Sequence, residues 1–121
     1  MQFIFNKLKS LPDYTEIRHS AEGGAFPIAV TGASHIHKAV LFSALLTDCK
    51  QKGLFLTSTE SEAAALKEDL ESLGLRTLLY PARDFIFHDI SGASHEYEHE
   101  RLDVLCRIIS GEYDVCISAI D

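Results

Sequence analysis

Short apolar runs rich in strand-forming residues alternate with longer amphipathic stretches along most of this chain, and that alternation narrows the fold more than any other feature. Residues 26–30 (FPIAV), 54–56 (LFL), 76–80 (RTLLY) and 113–117 (YDVCI) predict four strands. Between the first two, apolar residues recur at Ile36, Ala39, Val40, Ala44 and Leu46, which predicts a helix over 34–52 stopped by Gly53. Ser58 and Thr59 with Glu60 and Glu62 supply the start of a second helix, running to Leu73 and ended by Gly74. A third is expected over 100–109, with Leu102, Leu105, Cys106, Ile108 and Ile109 on its apolar face and Gly111 as its stop. Strands separated by helices of this length imply right-handed crossovers and an α/β, three-layer parallel sheet covered on both faces. The first 22 residues, with Phe3, Ile4, Phe5, Leu8 and Leu11 before Pro12, read as an N-terminal helical segment.

At 121 residues the chain is expected to form a single domain, 1–121. No closing helix covers the fourth predicted strand, so the sequence predicts a truncated sheet, a piece of a longer protein. Eighteen acidic against eleven basic residues leave a net charge of −7, which disfavours binding to nucleic-acid phosphates or anionic lipid by charge alone. Three cysteines without a Cys-x-x-Cys spacing suggest neither a disulfide framework nor a thiolate zinc site, and Cys49, Cys106 and Cys116 are expected to be reduced and packed in the core. The longest apolar run is far shorter than the ~20 residues a membrane span needs, and a cytoplasmic location is expected.

The turn after the first predicted strand reads Thr31-Gly32-Ala33-Ser34-His35-Ile36-His37-Lys38-Ala39. Against the phosphate loop G-x-x-x-x-G-K-[ST], Gly32 and Lys38 fall in register while His37 replaces the second glycine and Ala39 the hydroxyl residue. Those two positions let backbone approach the phosphates and ligate Mg²⁺. The expectation is therefore a degenerate phosphate loop, with Gly32 and Lys38 as relics. The competing reading is a small nucleotide-dependent phosphotransferase, with Lys38 on the phosphates and Asp84 or Asp121 on Mg²⁺.

His95-Glu96-Tyr97-Glu98-His99 matches H-E-x-x-H, which on a helix puts two imidazoles on one face for Zn²⁺ with Glu96 as base. It lies in a polar stretch without a clear third ligand, and a solvated helix start is expected instead. His35 and His37 likewise read as surface residues. No G-x-S-x-G occurs, so triad hydrolase chemistry is unsupported. Residues 81–94, holding Arg83, Asp84, Phe85, Phe87, His88 and Asp89, form a connection more aromatic than a solvated linker.

Four stretches taken together carry a family resemblance: 29–34 (AVTGAS), 79–84 (LYPARD), 99–111 (HERLDVLCRIISG) and 115–119 (VCISA). In order and spacing they are similar to the N-terminal region of bacterial transcription-repair coupling factors, itself similar to the B component of the bacterial excinuclease. The resemblance spans about residues 3–121. It implies a DNA-repair protein that uses ATP-driven translocation to displace stalled RNA polymerase and recruits the excision machinery. It further implies that this N-terminal module has the nucleotide-binding type of fold without nucleotide binding, and holds no cofactor of its own. ATP and Mg²⁺ would belong to the motor, and RNA polymerase and DNA to downstream domains. The A component of the excinuclease would be met chiefly through a following domain, so no contact residue is assigned here.

Overall fold

The computed structural model describes residues 2–82 and 93–120. They form two compact units, 1–51 and 52–121.

The first unit is helical. α1 (Gln2–Lys9) and α2 (Pro12–Glu22) come first, and Pro12 sits in the first turn of α2, where a missing N–H does no harm. α3 (His35–Cys49) follows and ends at Lys50, a left-handed C-cap with φ 52°, rather than at Gly53. Both α1 and α2 pack on α3. Asp48, near the end of α3, accepts hydrogen bonds from Lys9 Nζ and from the Tyr14 hydroxyl, each at 2.6 Å, and so ties the three helices together. Tyr14 is buried, and both burial and its bond to Asp48 push its hydroxyl pKa upward. For Asp48 itself burial acts upward too, but the bonds from Lys9 and Tyr14 and the charges of Lys9 and Arg18 outweigh it and hold the carboxyl below its ordinary value.

Residues 26–30 form no strand, contrary to the sequence reading. Pro27 in the middle of the run has no N–H to give to a ladder, the Phe26 N–H is turned back to the Gly24 carbonyl, and both Phe26 and Val30 are exposed. The composition of the run favours a strand, and the missing donor works against it.

The second unit is α/β. Its sheet has three parallel strands in the order β1-β3-β2, where β1 is Gly53–Thr57, β2 is Thr77–Tyr80 and β3 is Val115–Ala119. α4 (Glu60–Ser72) joins β1 to β2, and α5 (Ala93–Ser110) precedes β3. The chain passes over β3 on the way from β1 to β2 and returns one place on the way to β3, so right-handed connections put α4 and α5 on opposite faces. α4 packs across all three strands, burying Ala63, Leu66 and Leu70. α5 packs on β2, with Val104 against Leu78 and Cys116 and with Ile108 and Tyr113 at the margin.

In the second unit two predicted elements shift by more than one residue. α5 begins at Ala93, seven residues before the predicted 100, and β3 is displaced two residues toward the C-terminus. Asp114 explains the second shift: its carboxylate accepts from the Arg76 backbone N–H (2.8 Å) and from the guanidinium (2.9 and 3.1 Å), which anchors the chain just ahead of the ladder. Those bonds from Arg76 hold the Asp114 carboxyl low against the opposing effect of burial. Lys52 secures the same end by donating to the carbonyls of Gly111 and Tyr113 while lying over the Tyr113 ring.

Candidate functional site

The turn that leads into α3 is the sequence-predicted site, and its backbone explains part of its composition. Gly32 has φ +79°, a left-handed conformation that glycine adopts without strain. Ser34 is the extended N-cap of α3, and its carbonyl accepts from the Lys38 N–H at 2.9 Å, but its hydroxyl caps nothing. His35, His37 and Lys38 are exposed, so Lys38 is a surface cation. Ala39, where a phosphate loop carries Ser or Thr, is completely buried. A hydroxyl added there would enter a closed space and would need its own partner. The first turn of α3 holds no carboxylate, and its N–H groups receive no side-chain cap.

The start of α4 is built differently. The Thr59 hydroxyl accepts from the Glu62 N–H at 3.2 Å, and the Glu62 carboxylate reaches back to the N–H and hydroxyl of Ser58. This variant of the capping box places a negative charge at the positive end of the helix. In an open parallel sheet the carboxyl ends of the strands are where ligands settle. Here, after β1, that place is taken by the chain's own Glu62. Glu60 accepts from the Ala82 N–H at 3.3 Å, joining the ends of β1 and β2.

One pair at this end of the sheet has no counterpart in the sequence reading. Arg101, on α5, lies 4.8 Å from the centre of the Tyr80 ring and donates from Nε to the Tyr80 hydroxyl at 3.0 Å. Both residues fall within the stretches that carry the family resemblance, yet nothing in their spacing indicates that they meet. The Asp48 tie is equally invisible in sequence, since its partners lie 34 and 39 positions away.

Glu96 and His99 of the H-E-x-x-H stretch are exposed on the first half of α5, while the His95 side chain, with Arg83, Asp84, Asp89 and Asp121, lies outside the described residues. Among the described residues no group of three or more His, Cys, Asp or Glu side chains is arranged to hold a metal ion. The cysteines do not share one environment as expected: Cys116 is buried, which pushes its thiol pKa up, Cys49 is half-buried and Cys106 is exposed. Among the described residues no helix is long and apolar enough to cross a membrane.

No family model matches the chain, and no solved structure matches it. A transcription-repair-coupling factor of Bacillus subtilis (strain 168) is 28% identical to it over 122 residues, covering 99% of this chain and 10% of that protein. The chain thus corresponds to about a tenth of the length of the curated relative it matches.

Proposed function

We propose that this chain is a non-catalytic scaffold segment of a transcription-repair coupling factor. The observation that carries the reading is the similarity to the Bacillus protein, which runs across essentially the whole chain rather than through one motif. In this reading residues 1–121 belong to one excinuclease B-like domain of the P-loop type whose phosphate loop has decayed. Gly32 survives because its turn needs positive φ, and Lys38 survives as a surface cation. The loss of the hydroxyl at Ala39 accords with a buried position that serves packing instead of Mg²⁺.

The partners are then other domains of the same polypeptide, with the excinuclease A component, RNA polymerase and DNA engaged through following domains, in the cytoplasm. ATP-driven translocation belongs to the motor of the longer protein and not to this segment. The test is genetic and biochemical together. Removing the segment from its gene is expected to lower strand-biased repair of transcribed DNA while leaving the ATPase of the remaining protein measurable. Unchanged strand bias would contradict the proposal, as would Mg-ATP hydrolysis by the purified 121-residue chain.

A further inference from the structure

The second unit has one face of its sheet incompletely covered. Strand register sets Leu54 level with Cys116 and Leu78, and Leu56 level with Ser118 and Tyr80, so Leu54 and Leu56 project from the face on which α5 lies. α5 packs on β2 and leaves these leucines 64% and 56% exposed. α5 also carries a second apolar stripe, Leu102, Leu105 and Ile109, which is 57%, 41% and 86% exposed. The sequence reading puts these residues on the same buried face as Ile108; the structure turns the helix so that Val104 and Ile108 face the sheet.

At 100° per residue the exposed stripe lies roughly a quarter to a third of a turn from Val104 and Ile108. Its direction follows from handedness. In a right-handed β2-α5-β3 crossover, α5 runs opposite to the strands above β2 and β3, and the right-handed sense of the helix then aims the stripe toward β1. Leu54 and Leu56 thus form the floor, and Leu102, Leu105 and Ile109 one wall, of a single apolar groove above β1.

We infer that this groove is the seat of one amphipathic crossover helix, supplied by the longer polypeptide from the carboxyl end of β3. Among the described residues of the second unit, α4 already spans β1, β3 and β2 on the opposite face, whereas on the α5 side Leu54 and Leu56 of β1 are left exposed. A right-handed connection leaving β3 on the α5 side passes over β1, the strand that α5 leaves bare. Parallel sheets are covered on both faces, and a helix seated beside α5 would pack at about 8–10 Å between axes. The inference rests on the proposal that this chain is part of a longer protein, of which the relative, ten times its length, is the supporting observation.

The experiment introduces Leu54→Cys into the 121-residue chain and into the full gene product, and reads maleimide labelling at position 54 by peptide mass spectrometry. Ala65→Cys, on the exposed side of α4, serves as the reference site. Labelling at 54 is expected to be at least about tenfold slower in the full gene product, with position 65 unchanged, because a covered site reacts only through local opening. Equal labelling at 54 in the two proteins overturns the inference and leaves the proposed function standing. A gene product that migrates at 13.4 kDa overturns both, and the mass alone distinguishes that result. As a second readout, Ile109→Lys is expected to leave the melting temperature of the 121-residue chain unchanged and to lower that of the longer protein; an equal effect in both contradicts the inference.

Discussion

Residues 1–51 and residues 52–121 are stabilised by different physics. In the second unit the largest fully buried side chains are apolar, Leu70, Val115 and Ile117, and with Ala63 they belong to the packing of α4 on the sheet. In the first unit the buried positions on α3 are the small residues Ala39, Ser43 and Ala44, and the buried Ser43 hydroxyl has no hydrogen-bond partner among the described residues. Its three helices are joined instead through Asp48, with Lys9 and Tyr14 as donors and Arg18 4.0 Å away. The second unit should therefore respond to changes of volume, and the first to changes of charge. The turn at Gly32 belongs to the unit with the smaller apolar core.

The largest effect is expected from Leu70→Ala, which empties a fully buried site and should cost about 2–5 kcal/mol. Hydrogen exchange should show the loss of protection in β1, β2 and β3 and not in α1, α2 or α3. Equal loss in all six elements would make the chain one cooperative body and end the comparison. Next comes Asp48→Ala, expected to remove about 1.5–3 kcal/mol, the range for hydrogen bonds to a charged group, with loss of exchange protection confined to the helices of the first unit.

The pH dependence sharpens the same contrast. Asp48 has a folded-state pKa below its unfolded one, so its contribution is complete above the ordinary carboxylate range and is lost as pH falls through the depressed value. Tyr14 has a raised pKa, so its contribution is complete below the ordinary tyrosine value of 10.0 and is lost as pH rises above it. A thermal-melt series should show Asp48→Asn flattening the acid limb and Tyr14→Phe the alkaline limb. Unchanged limbs would remove Asp48 as the organising group. The smallest effect is expected from Thr59→Ala, about 1 kcal/mol, the usual contribution of an N-cap, seen as a lowered melting temperature of the second unit.

The second unit is legible in the sequence because its elements obey local rules. Thr59 and Glu62 mark a helix start in any context, Gly74 takes the left-handed backbone that ends a helix, and LFL and TLLY are short apolar runs bounded by Gly53 and Pro81. Strand order is not legible, since β3 enters between β1 and β2 through contacts far apart in sequence. The strand predicted over 26–30 fails because its composition says nothing of the donor lost at Pro27. For the candidate site, Gly32 lies in the turn before α3 and Lys38 in the first turn of that helix, without the strand that the sequence predicts ahead of them, and the burial of Ala39 beside the exposure of Lys38 is a property of how α3 is covered. The pairs Tyr14 with Asp48 and Tyr80 with Arg101 depend on tertiary approach and leave no periodic trace.

Under the function proposed above, the turn at Gly32 with Lys38 is a decayed phosphate loop that binds no nucleotide. Calorimetric titration of the purified chain with Mg-ATP tests it most directly. No binding heat and no rise in melting temperature are expected. Binding in the micromolar range, ~8 kcal/mol of affinity, would show that His37 and Ala39 are tolerated and would contradict the account.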